Sequence, residues 1–97
     1  MSGNAILVVD DSRTIRNQVL RILSGEEDGY VLHPQENGQQ ALQWLSGRNE
    51  AELPDLILLD RNMPQISGDE CIRILKTDDA WKQIPVLFLT AQSDVKQ

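Results

Sequence analysis

Three short apolar runs constrain this chain more than any other feature: Ala5-Ile6-Leu7-Val8-Val9, Leu56-Ile57-Leu58-Leu59 and Val86-Leu87-Phe88-Leu89. None alternates with polar residues. Runs of four or five apolar residues between turn-forming residues favour strands over helix segments, which need more length. A strand with two apolar faces is expected to be buried on both, as in a parallel sheet covered by helices. Tyr30-Val31-Leu32-His33 is a weaker fourth candidate, expected to stop at Pro34, which has no N–H for a sheet ladder.

Helical periodicity fills the gaps between these runs. Ile15, Val19, Ile22 and Leu23 recur at i, i+4, i+7 and i+8, with Ser12 or Asp11 as the cap and Gly25 as the stop. A second helix is expected from about Gln39 to Ser46, burying Ala41, Leu42 and Leu45 and ending at Gly47. A third follows Gly68, with Cys71, Ile72 and Leu75 inward, and Ser93–Gln97 reads as the first turn of a fourth. The order β-α-β-α-β-α-β-(α) predicts an α/β doubly wound parallel sheet with right-handed crossovers. Ninety-seven residues, 40% of them hydrophobic, suit one small domain with a packed core.

Charge and cysteine content narrow the function classes. The net charge is −6 and no basic cluster is present, which argues against nucleic-acid binding. The single cysteine, Cys71, can form no internal disulfide and reads as a core residue among Ile72, Ile74 and Leu75. No apolar run approaches the ~20 residues of a membrane helix. Met1-Ser2-Gly3-Asn4 has no basic region or cleavage pattern, so a cytoplasmic location is expected. His33 reads as a boundary residue, and Trp44 and Trp81 as partial core contacts without a basic groove to make a stacking platform.

The chemistry is expected at the strand ends. The first strong strand runs into Asp10-Asp11, the second into Asp60, and the third into Thr90. Parallel strands point one way, so these side chains should meet at one sheet edge, where open α/β sheets bind ligands. Three carboxylates repel one another unless a cation joins them, and hard oxygen donors select Mg²⁺, Mn²⁺ or Ca²⁺. Magnesium takes one or two carboxylates and leaves room for phosphate oxygens, so a remaining carboxylate can act as a nucleophile and form an acyl phosphate. Thr90 can donate a hydrogen bond to a phosphoryl oxygen. Taken singly, Asp10-Asp11-Ser12 could be a helix cap and Asp60-Arg61-Asn62 a turn. Their joint placement at buried strand ends favours a site.

These residues resemble the receiver domains of two-component response regulators. The resemblance runs from Ala5 to Val95 and rests on three groups of residues. They are the acidic pair after the first strand, Leu58-Leu59-Asp60 with Met63-Pro64 and Gly68, and Pro85-Val86 running into Leu89-Thr90-Ala91. It implies a flavodoxin-like fold of strand order 2-1-3-4, residues 1–97 forming one receiver domain that stops at the start of its fourth helix. The family's fifth strand, fifth helix and C-terminal lysine would then be missing, since Lys96 comes too early. The resemblance further implies that Asp60 is the phosphoacceptor and that Asp10, Asp11, Asp60 and the Asn62 backbone carbonyl hold Mg²⁺. Thr90 would be the switch hydroxyl, Asn62 and Gln92 the positions that tune dephosphorylation, and Gly68 the tight turn into the third helix. The implied partner is a sensor histidine kinase or histidine phosphotransfer protein.

Three functions follow for testing. The first is a phosphoacceptor switch of a His–Asp phosphorelay, with no enzymatic turnover beyond self-phosphorylation and autodephosphorylation. The second is a receiver-like interaction or dimerisation module without phosphotransfer, for want of the lysine. The third, a phosphohydrolase with an aspartyl nucleophile, calls for Asp-x-Asp, which neither Asp10-Asp11-Ser12 nor Asp60-Arg61-Asn62 supplies. Without a fifth strand, the Val86–Leu89 run becomes an apolar edge, so a swapped or paired oligomer is expected.

Overall fold

The computed structural model describes residues 5–24, 29–61, 63 and 65–89. The elements in chain order are β1 (Ala5–Val9), α1 (Arg13–Ser24), β2 (Val31–Gln35), α2 (Gly38–Ser46), a 3-10 turn (Glu50–Glu52), β3 (Leu56–Asp60), α3 (Gly68–Thr77) and β4 (Val86–Leu89). The four strands form one sheet in the order β2-β1-β3-β4, and every pairing is parallel. The expected 2-1-3-4 arrangement is therefore present.

Register decides which side chains share a face. Leu7 and Val9 lie beside Ile57 and Leu59, which in turn lie beside Val86 and Phe88. Alternation along each strand sends all six to one side. That side carries the main core, where Leu7, Val9, Ile57 and Leu59 pack with Ala41 and Leu45 of α2, Cys71 and Leu75 of α3, and Ile84. Cys71 is buried there, and burial pushes its thiol up to about 11, so it is a packing residue and not a nucleophile. Trp44 and Trp81 pack partly buried against the same cluster, as expected.

The opposite side is less evenly covered. Ile6 and Val8 are fully buried on the side where α1 packs over β1 and β2. Leu56 and Leu58 are only half-buried, and Leu87 of β4 is 57% exposed. The expectation that all three apolar runs are buried on both faces thus holds for β1 and fails for β3 and β4. Burial of a strand's second face depends on a helix lying over it, and among the described residues α1 packs chiefly on β1 and β2. For the same reason Ile22, placed inward by its periodicity, is 66% exposed.

The expected stop at Pro34 is also corrected, because β2 continues through it to Gln35. The Gln35 carbonyl accepts from the Asp10 N–H across to β1 at 3.2 Å. Backbone groups alternate in direction along a strand, so Pro34 turns its nitrogen to the open side of this outer strand. No ladder bond is lost there, which is why an edge strand tolerates proline.

The helix ends follow the sequence signals. Ser12 Oγ accepts from the Ile15 N–H at 3.3 Å, which identifies the cap of α1. Asn37 caps α2 through the Gln40 N–H at 2.8 Å, and Gly47 closes it by donating to the Trp44 carbonyl at 3.2 Å. Ser67 caps α3 through the Glu70 N–H at 3.2 Å, with Asp69 and Glu70 in the first turn where the helix dipole favours acids. Asn62, Thr90, Gln92 and the expected fourth-helix start at 93–97 lie outside the described residues.

Candidate functional site

Asp10 follows the last residue of β1 and is held at three points. Its N–H donates to Gln35, its carbonyl accepts from Arg16 Nη1 at 2.6 Å, and its Oδ1 accepts from the Ser12 N–H at 2.8 Å. β2 and α1 thereby fix the backbone of a residue that is 4% exposed, and Ser12 orients its carboxylate. Among the described residues Asp10 is the one charged residue that is fully buried.

Asp60 ends β3 and is paired with Leu89 of β4. Since β1 and β3 are adjacent and parallel, it reaches the same edge as Asp10. One carboxylate oxygen each from Asp10, Asp11 and Asp60 lies within 4.8 Å of the others. Asp11 is exposed and Asp60 half-buried. The structure thus brings together the three acids picked from the sequence.

The electrostatics at Asp10 are those of a buried carboxylate that faces a second acid. Burial pushes the Asp10 carboxyl above its ordinary value of 3.8, and the Asp11 charge pushes the same way. The Ser12 amide and the Arg16 guanidinium oppose this and do not cancel it. A divalent cation would supply opposing charge, and the all-oxygen donor set with partial exposure fits Mg²⁺ or Mn²⁺. Arg16 had no place in the sequence reading. Its position one turn beyond the Ser12 cap was the available signal, because that spacing returns a long side chain to the strand end.

The turn from Asp60 to α3 is shaped by Gly68. Its N–H donates to the Arg61 carbonyl at 2.7 Å. A Cβ at Gly68 would stand 2.5 Å from Arg61 Cα and 2.6 Å from the Asp60 carbonyl oxygen. Only glycine lets the helix start against the back of the Asp60 peptide. Gln65, within this turn, takes a left-handed φ of 69°.

Residues 6–97 match the model of the response regulator receiver domain. The chain belongs to that family. This receiver is 42% identical over 94 residues to the phosphate regulon transcriptional regulatory protein PhoB of Pseudomonas aeruginosa, covering 97% of this chain and 38% of that protein. It spans well under half of that relative's length. Among solved structures, the phosphorylated cyanobacterial phytochrome response regulator RcpA superposes with a TM-score of 0.82 at 28% identity, covering 97% of this chain and 71% of the other. The Mn²⁺-bound form of response regulator Rcp1 gives 0.80 at 33% identity, covering 95% and 70%. The receiver is therefore a module of two-component signalling. Among its described residues no helix is long and apolar enough to cross a membrane.

Proposed function

We propose that this receiver is a phosphoacceptor switch of a His–Asp phosphorelay, phosphorylated on Asp60. The observation that carries the reading is the convergence of Asp10, Asp11 and Asp60 within 4.8 Å at the carboxyl edge of a parallel sheet. Asp60 supplies the nucleophilic oxygen. An O–P bond forms to the phosphoryl group as the P–N bond to a kinase's phosphohistidine breaks, and the imidazole leaves. Asp10 and Asp11, with Asp60 and the Asn62 backbone carbonyl, would hold Mg²⁺. Bound there, the ion would neutralise charge on the transferring phosphoryl group. A solved relative in phosphorylated form, RcpA, and one in Mn²⁺-bound form, Rcp1, support both halves of this assignment.

The protein's own groups prepare the site. Arg16 and Ser12 keep Asp10 oriented, and the Gly68 contact fixes the path of the chain leaving Asp60. The Thr90 hydroxyl, next in sequence after β4, donates to a phosphoryl oxygen and carries occupancy to the surface beyond β4. A sensor histidine kinase or histidine phosphotransfer protein is the phosphodonor, and the cytoplasm the location.

Incubation with a small-molecule phosphodonor, with and without Mg²⁺, followed by intact mass, tests the assignment. A metal-dependent gain of one phosphoryl group, abolished in Asp60→Asn, is expected. An equal gain in the mutant, or a folded chain inert in Mg²⁺, would sink it.

A further inference from the structure

We infer that Arg61 is a positioning residue that ties the phosphoacceptor turn to strand β4 through the ring of Phe88. The inference deepens the proposed function and rests on it for its consequence, though not for its geometry. Arg61 directly follows Asp60, and chain alternation sends it to the side of Leu59 and Phe88, which are register partners. Its guanidinium carbon lies 4.4 Å from the centroid of the Phe88 ring. Its Nε lies 3.3 Å from Asp69 Oδ1 in the first turn of α3, and its carbonyl accepts from Gly68. One residue thus touches both α3 and β4 at the point where the chain leaves the acidic edge.

The two side-chain contacts are not equal. The ion pair is 53% and 68% exposed on its two sides, so water and salt screen it strongly. Phe88 is half-buried and packs against the main core. Arg61 is equally exposed in both contacts, so the difference lies with the partner: the Phe88 ring is fixed and partly desolvated by the core, while the Asp69 carboxylate is 68% exposed. The Phe88 contact is therefore the one that holds. It matters for the site because the Arg61 peptide stands between Asp60 and Asn62, and because Phe88 is two residues before Thr90. Freed from the ring, the turn would no longer be held in register with the three carboxylates.

The test compares Arg61→Ala, Arg61→Lys, Phe88→Leu and Asp69→Asn in the chain. Two quantities are read: the Mg²⁺ dissociation constant by calorimetry, and the exchange rate of the Gly68 amide without metal. Arg61→Ala and Phe88→Leu should each weaken Mg²⁺ on the order of 10-fold, as losses of groups that orient metal ligands do. Both should speed Gly68 exchange while leaving the thermal midpoint near that of the parent. Arg61→Lys, which keeps a cation near the ring, should recover part of the affinity. Asp69→Asn should change it less than about 2-fold. Unaltered Mg²⁺ affinity and Gly68 exchange in Arg61→Ala would overturn the inference. So would a loss reproduced by Asp69→Asn and absent in Phe88→Leu, which would move the tether to α3. If the parent binds no Mg²⁺, the proposed function falls, and Gly68 exchange alone decides the tether: faster in Arg61→Ala and Phe88→Leu sustains it, unchanged overturns it.

Discussion

The two faces of the sheet are built from the same kind of residue and have different fates. On the α2–α3 side, Leu7, Val9, Ile57 and Leu59 are each no more than 1% exposed. On the other side Ile6 and Val8 are buried under α1, while Leu58 is half-buried and Leu87 mostly bare. Leu59 and Leu87 sit in adjacent strands and are both leucines in unbroken apolar runs. Composition cannot tell them apart. What separates them is whether a helix crosses over the strand, which is a property of topology and not of the run.

The largest effect should come from deleting a side chain on the closed face. Leu59→Ala is expected to cost about 3 kcal/mol in chemical denaturation, from lost transfer energy and the cavity left behind. Leu87→Ala should cost under about 1 kcal/mol, because that side chain already meets water. If the two losses proved equal, the open face would be covered in solution, and sedimentation of the chain would then have to show an oligomer.

The turn beside the acidic edge should respond next. Gly68→Ala forces a Cβ against backbone atoms that cannot rotate away, and a loss of about 2 kcal/mol is expected. A neutral outcome in thermal melts would mean that the Asp60–Arg61 backbone yields easily, despite the hydrogen bond from the Gly68 N–H to the Arg61 carbonyl beside it.

Asp10→Asn should move stability the other way. Removing a buried charge that faces Asp11, while keeping an oxygen for the Ser12 N–H, should raise metal-free stability by about 1 kcal/mol. The same variant should lose the rise in midpoint that Mg²⁺ gives the parent. A Mg²⁺ response of full size in Asp10→Asn would remove this residue from the metal set.

The smallest effect belongs to the β2 edge. His33 lies 4.8 Å from the Trp44 ring, and Arg48 stands over Trp44 at 4.7 Å. Burial first, and the Arg48 charge second, hold the His33 pKa below its ordinary 6.5. The folded state therefore binds fewer protons than the unfolded state just below pH 6.5. Its contribution is complete above that pH and is lost as pH falls through the folded value. The midpoint should drift down on acidification by less than Leu59→Ala or Gly68→Ala shifts it, and His33→Phe should flatten that part of the drift. A steeper decline below pH 6.5 in the His33→Phe variant would contradict this.

Much of the site is legible in the sequence, for a simple reason. An unbroken apolar run marks a strand, so the first polar residue after it marks the strand's end, and parallel strands end on one edge. Asp10 and Asp60 were readable on that ground, and Asp11 by adjacency. Arg16, Arg61 and Phe88 were not readable, because their roles arise between elements far apart along the chain or from helix rotation. Pro34 misled because a proline's effect depends on which side its nitrogen faces, and only strand order reveals that β2 is an outer strand. Ile22 misled because periodicity gives the apolar stripe of a helix but not how much of it a neighbour covers.

The sequence by itself determined the main element types, a first-helix cap at Ser12 or Asp11, the stop at Gly47 and the acids of the site, while the turn role of Gly68 came from the family resemblance. These depend on local chemistry, namely backbone hydrogen bonding, steric bulk and the apolar content of short windows. Tertiary structure alone decided which leucines are buried, that Asp10 is desolvated and pushed upward, and that Arg61 meets Phe88. Burial and charge coupling act through space at a few ångströms, between residues whose separation along the chain carries no record of that distance.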